Sequence, residues 1–204
     1  MDESTAISAN PPRISGRTVH TTSVSTPSTH TSPTIRKGAA VPPRGKDARF
    51  FIPATRMALG FVYLWALVDK MFGLGVSTPA EDSVLSGASP SVGYLSSTEG
   101  AFSEVFHTIA GNPLVDFLFL FGLGAVGIAL IAGVCLRLAA LGGTLLMSGI
   151  YLSALPLANN PLVDEHLIYV LLGWLLASIN AGLYFGLGKK WQALPIVREN
   201  RWLH

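Results

Sequence analysis

The chain has 204 residues, half of them apolar and only 13% charged, and its 14 Lys and Arg against 12 Asp and Glu leave a net charge of +2. Ordinary soluble domains carry about 25% charged residues, so an ordinary soluble domain is excluded; the net charge says little by itself, and no nucleic-acid partner is expected. The single Cys135 rules out an internal disulfide and any Cys-based zinc or iron–sulfur centre within one chain.

Residues 1–48 are rich in Ser, Thr and Pro and show no apolar periodicity. Such a segment buries too little surface to offset its ordering entropy, so a disordered cytoplasmic tail is expected. It has no apolar stretch of the kind a secretory signal needs.

Four apolar stretches follow. The first, over residues 50–74, is interrupted by Arg56 and by the Asp69–Lys70 pair. Phe117–Leu136, Leu138–Val163 and Leu167–Gly188 contain no Asp, Glu, Lys or Arg. A helix of ~20 apolar residues matches the ~30 Å hydrocarbon core of a bilayer. The spacing predicts an all-α integral membrane four-helix bundle in residues 49–190, with spans over 50–74, 113–135, 138–158 and 164–187. An external segment covers 75–112, and a C-terminal tail covers 191–204. Within the external segment, Phe102, Phe106 and Ile109 fall near helical spacing, which fits either a short amphipathic helix across the mouth of the bundle or an ordered loop packed over it.

Charge placement orients the spans. Arg13, Arg17, Arg36, Lys37, Arg44, Lys46 and Arg49 precede the first, Arg137 lies between the second and third, and Lys189, Lys190, Arg198 and Arg201 follow the fourth. The segment from Gly75 to Phe117 has Glu81, Asp82, Glu99, Glu104 and Asp116 but no Lys or Arg. Basic loops stay on the cytoplasmic side, so both termini are expected inside. Ala125, Ala129 and Gly133, and Gly182 with Gly186, repeat at four-residue intervals that suit close helix approach in lipid. Gly122–Gly127 matches G-x-G-x-x-G but sits inside a span, without the strand that a dinucleotide site requires.

Chemistry is expected where ionisable groups enter the membrane. Arg56, Gly60, Tyr63, Leu67 and Lys70 form one helical stripe, while Phe61, Trp65 and Phe72 lie on another face. Arg56 and Lys70 both lie near span ends, so snorkelling is an alternative to a functional role. At the start of the fourth span, Asn160 followed by Pro161 reads as an N-cap with proline at the first helical position, and Asp164 and Glu165 then favour the positive helix end. His166 heads an inward stripe of Val170, Gly173, Ala177 and Asn180. Asp69, Lys70, Asn160, Asp164 and His166 thus share the outer end of the bundle. A polar mouth above an apolar, aromatic cleft would suit a small anion or a quinone head group.

These segments resemble a known family. Arg56-Met-Ala-Leu-Gly-Phe-Val-Tyr-Leu-Trp-Ala-Leu-Val-Asp-Lys-Met-Phe-Gly-Leu-Gly75 with Ser77-Thr-Pro79 is similar to the first helix of DoxX-family membrane proteins. Gly87-Ala-Ser-Pro-Ser-Val-Gly-Tyr-Leu95 and Asn160-Pro-Leu-Val-Asp-Glu-His166 resemble the branch related to the DoxD subunit, with its Asn-Pro-x-x-Asp-x-His signature. The resemblance implies the membrane subunit of a quinone-linked redox system in the plasma membrane of a prokaryote. There it would oxidise thiosulfate or a similar small sulfur anion, with quinone as electron acceptor. Asp69, Lys70, Asp164 and His166 are then the candidate catalytic residues. Arg56, Tyr63, Trp65 and Asn160 are the candidate substrate or quinone contacts. No flavin, haem or metal motif is recognised. Expected partners are membrane lipid and either a second oxidoreductase subunit or cytoplasmic redox and sulfurtransferase enzymes. Self-association into a homo-oligomer is left open. A non-catalytic scaffold and a small-solute carrier are the competing readings.

Overall fold

The computed structural model describes residues 45–157, 160 and 162–203, with the side chain of residue 201 outside that set. Nearly all of the predicted N-terminal tail and the predicted helix position of Pro161 lie outside the described residues. The described residues are helical, with no strand among them. Four helices dominate: α1 (Lys46–Phe72), α4 (Pro113–Ala132), α5 (Leu136–Ser153) and α6 (Glu165–Ser178). Between α1 and α4 lie two short 3-10 turns and the short helices α2 (Val92–Leu95) and α3 (Ser103–Ile109). After α6 come a 3-10 turn at Ala181–Leu183 and the short helices α7 (Gly188–Gln192) and α8 (Pro195–Glu199).

Helices α1, α4 and α5 are long and apolar enough to cross a membrane; α6 is apolar but has only 14 residues. Their outward faces carry Phe61, Phe117, Phe121, Ile128, Leu145 and Leu171, all exposed. So much exposed apolar surface is stable only against lipid or another apolar partner. The inward faces form one core containing Leu59, Tyr63, Leu123, Val126, Met147 and Leu176. Helix α1 lies along α4, α4 along α5 and α5 along α6, whereas α1 touches α6 lightly.

The ends of these helices follow local chemistry. Helix α1 begins at Lys46, earlier than the expected 50, and stops at Gly73 in the left-handed conformation (φ 64°). A Cβ at Gly73 would lie 2.6 Å from the Cα of Ala80, so only glycine allows the chain to double back there. Helix α4 starts at Pro113, as expected, because the Asn112 side chain accepts from Leu114 N–H at 2.9 Å and proline fits the first position. Helix α5 ends at Ser153 rather than 158; Pro156 follows, and a residue preceding proline avoids helical backbone.

The fourth element departs most from the sequence-based expectation of a helix over 164–187. It ends at Ser178, and Asn180 turns into left-handed backbone (φ 51°). The chain then crosses the α4–α5 connection so tightly that a Cβ at Gly182 would collide with the Gly133 carbonyl. Leu187 N–H donates to Ala132 O at 2.8 Å, fixing the crossing. The expected C-terminal tail is also folded, with Val197 fully buried and Trp191 Nε1 donating to Leu203 O at 2.6 Å.

Of the expected small residues, Gly133 and Gly182 do meet closely, whereas Ala125 is exposed and packs no helix. Between α1 and α4 the close contact is Gly60 against Gly127: a Cβ on either would lie 3.0 Å from the other's carbonyl oxygen. Gly60→Val should therefore overpack the α1–α4 contact and cost about 1–3 kcal/mol, read as a lowered unfolding midpoint in detergent micelles. An unchanged midpoint would show that this contact is loose.

Candidate functional site

The expected stripe of helix α1 lies on one face, and that face points inward. Arg56, Gly60 and Tyr63 are buried, Leu67 and Lys70 half-buried, and Phe61, Trp65 and Phe72 point outward. The charged members of the stripe end up in very different surroundings.

Arg56 is fully buried, not snorkelling. Its Nη1 donates to the carbonyls of Leu130 and Ile131 (the latter at 2.7 Å), and its Nη2 to those of Phe185 (2.9 Å) and Tyr184 (3.4 Å). The first two belong to the last turn of α4, where unpaired carbonyls and the negative end of the helix dipole attract a cation. The other two belong to the irregular chain after α6. Arg56 therefore joins three parts of the fold at the end remote from Lys70.

Asp69 is buried too. Its Oδ2 accepts from Ser77 N–H at 3.2 Å and Ser77 Oγ at 2.6 Å, which ties the loop after α1 back onto the helix. The buried Thr78 side chain lies against the same carboxylate.

Lys70, one residue on, has a different outlook. Its Nζ lies 6.0 Å from the centre of the Phe119 ring on α4, the outer limit of a cation–π contact. It lines a cavity of about 760 Å³ between α4, α5 and the segment over 77–109. His166 lines the same cavity. That volume lies in the range of small-molecule sites. The rim is polar, with Lys70, Ser77, Ser91, Tyr94, Ser153 and His166; deeper walls come from Phe119, Leu146 and Ile150. Phe106 and Ile109 of α3 line it, so of the two expectations for this segment the structure shows the short helix, set against the cavity. Ser153 Oγ donates to Tyr94 Oη at 2.9 Å, fastening the covering segment to α5.

Helix α6 is capped by Asp164, not by Asn160: Asp164 Oδ1 accepts from Leu167 N–H at 3.2 Å. Asn160 Oδ1 instead accepts from Leu162 and Val163 N–H at 3.0 and 3.1 Å, in a turn that is exposed and away from the cavity. Two side-chain oxygens four positions apart competed for the same role, and the one aligned with the helix took it. Asp164 Oδ2 also lies 2.7 Å from His166 Nδ1. Burial pulls the Asp164 carboxyl upward, but the bonds from the His166 ring, Leu167 N–H and His166 N–H, with the imidazole charge, outweigh it and hold it below its ordinary value. An ionised carboxylate only accepts, so His166 Nδ1 carries the proton and Nε2 is the nitrogen left for a ligand. Glu165 adds a third ligand-type atom within 4.8 Å, but it is exposed, and both Asp164 oxygens are already engaged.

Of the expected site residues, the structure places Lys70 and His166 on the lining of one cavity, with Asp164 bonded to the imidazole. Tyr63 lies deeper, packed against Gly143, and Trp65 faces outward, tilted against Phe61 at 5.9 Å. Tyr94, Phe119, Ser153 and the glycines of α5 were not singled out from sequence; only Tyr94 carried a signal, within the stretch that resembles the DoxD branch. Comparison with protein-family models, curated proteins and solved structures gave no match.

Replacing Arg56 by Met keeps its bulk but removes the guanidinium donor from the carbonyls of Ile131, Tyr184 and Phe185, and leaves that of Leu130 with Gly133 N–H alone. At about 1–3 kcal/mol for a buried unsatisfied group, the variant should lose at least ~2 kcal/mol of stability in a detergent unfolding titration. Arg56→Lys should recover part of it. Wild-type stability in Arg56→Met would contradict the clamp.

Proposed function

We propose that this chain is the membrane subunit of a quinone-linked redox system and that the Lys70–His166 cavity receives the quinone. In this reading α1, α4, α5 and α6 form an antiparallel four-helix bundle in a prokaryotic plasma membrane, with both termini cytoplasmic. Charge supports that orientation: Lys46, Arg49, Arg137, Lys189, Lys190 and Arg198 lie at the Arg56 end, and Glu81, Asp82, Glu99 and Glu104 lie at the other.

One observation carries the proposal. A cation from the first long helix and an imidazole from the last line a single, mainly apolar cavity. Ionisable groups in an apolar layer are costly and mark functional sites. Tyr94, Ser153 and His166 supply hydrogen-bonding groups at the rim, and the apolar walls suit the body of an aromatic ring and its chain. The residues therefore fit a quinone. A bound quinone supplies the capacity to accept two electrons and two protons.

The chain's residues have distinct tasks. The Lys70 ammonium stabilises negative charge on an oxygen at the rim and can donate a hydrogen bond to it. His166 exchanges a proton through Nε2, while Asp164 fixes the ring and stabilises its protonated form. Phe119 and Ile150 exclude water from the deeper part. Electrons come from thiosulfate or a similar small sulfur anion oxidised at the outer face, as the DoxX/DoxD resemblance implies.

A specific feature also favours the scaffold reading. The folded C-terminal region presents Lys189, Lys190, Ile196 and Trp202 on its surface, a face suited to holding a soluble redox enzyme.

Membrane vesicles containing the full chain and its native partners separate the two. With thiosulfate and decylubiquinone, Lys70→Gln and His166→Gln should each lower quinone reduction at least about tenfold, while Trp65→Phe and Asn160→Ala stay near wild type. Equal activity in all four would refute the site. Activity that survives those changes but is lost with residues 189–204, together with co-purifying enzymes, would establish the scaffold.

A further inference from the structure

The cavity runs well beyond the groups that would hold a head group. From Ser153 at the rim to Gly142 it follows α5 for about 16 Å, at 1.5 Å per residue. A small hydrophilic anion needs a fraction of that length and none of the apolar wall. Two of the lining residues, Leu118 on α4 and Leu145 on α5, are also exposed on the outer surface. The cavity therefore reaches the outside along the α4–α5 seam, at the depth of the apolar belt.

The glycines along this seam are not equivalent. A Cβ at Gly122 would lie 3.1 Å from Leu146, and one at Gly142 would lie 3.1 Å from Val126, so both serve close helix packing. A Cβ at Gly149 would meet nothing within 4 Å. Gly149 sits inside α5 with ordinary helical backbone and lines the cavity just below the rim. Neither backbone conformation nor close approach requires glycine there, and glycine is a poor helix former. What its missing side chain provides is open space between the polar rim and the seam.

We infer that the ligand of this site is a chain-bearing amphiphile that reaches the cavity sideways from the lipid through the α4–α5 seam, and that Gly149 sets the width available to it. This rests on the reading of the Lys70–His166 cavity given above and deepens it: the head group lies at the rim, the chain passes Gly149, and its end stays in the membrane. A side chain at position 149 would occupy the passage while leaving Lys70 and His166 untouched.

The test uses the full chain in phosphatidylcholine nanodiscs with a benzoquinone carrying a ten-carbon chain and a diazirine on that chain. After irradiation, labelled positions are mapped by peptide mass spectrometry. The wild type should be labelled on the cavity walls of residues 115–122 and 142–153. Gly149→Phe should lower that labelling at least fivefold and Gly149→Ala less, both with the wild-type unfolding midpoint. Ser148→Phe, on the exposed neighbouring position, should be labelled like the wild type. If Gly149→Phe destabilises the protein, Gly149→Leu replaces it in the same comparison. Wild-type labelling of the cavity walls that persists unchanged in Gly149→Phe overturns the sideways route and leaves the site standing. Labelling confined to the outer faces in the wild type, at Ile128 or Leu171, overturns both.

Discussion

A carbonyl that leaves regular helix inside an apolar layer has no water to turn to and must find a donor in the protein. Arg56 answers that requirement for two stretches at once, the last turn of α4 and the irregular chain at Tyr184 and Phe185. Its guanidinium has enough donors in a fixed plane to serve several carbonyls together. The short α6 depends on this. At ~1.5 Å per residue its 14 residues span about 21 Å, less than the ~30 Å of a hydrocarbon core, and the turn after Ser178 frees backbone groups that need partners on the neighbouring chains. Gly133, Gly182 and Gly188 let the crossing chains touch, and Arg56 neutralises the polar atoms that the crossing exposes.

The opposite end of α1 solves a related problem with the opposite charge. Asp69 folds the 73–79 loop onto the helix through Ser77, and Gly73 lets the chain reverse. This reversal starts the segment that covers the cavity, and the Ser153–Tyr94 bond fastens it at its far side. Lys70, next to Asp69 but rotated about 100° around the helix, is thereby left facing the cavity. Two charged neighbours have separate work: Asp69 shapes the cover, and Lys70 meets whatever lies beneath it.

Much of this was legible in the sequence, for reasons that differ by residue. The α1 stripe was read correctly because helical periodicity alone decides which residues share a face. The start of α4 at 113 held, Asn112 and Pro113 being what fix it there, and the inward run of His166, Val170, Gly173 and Ala177 held because it lies within α6. The end of α6 was missed: Leu167–Gly188 is apolar throughout, and apolar composition does not separate a straight span from a buried crossing. The relevant signals were local, Asn180 and the glycines after it, which also resemble ordinary small-residue packing. The cap was misassigned to Asn160 because either Asn160 or Asp164 can accept from a following amide, and only geometry chooses. The placing of Lys70 and His166 at one end of the bundle followed from counting spans. The cavity body did not, because Phe119, Leu146 and Gly149 are unremarkable as sequence and gain meaning only from the separation of α4 and α5.

The site thus consists of two polar groups set at the edge of a long apolar space, one from the first long helix and one from the last. Solid-state NMR of the full chain in lipid bilayers, with nitrogen-15 in Lys and His and the signals assigned through Lys70→Arg and His166→Gln, tests this arrangement most directly. As a chain-bearing quinone is titrated in, the Lys70 Nζ and His166 Nε2 resonances should shift together with one midpoint, while those of Lys189 and Lys190 stay fixed. Separate midpoints for Lys70 and His166, or no shift in either, would contradict a shared cavity site.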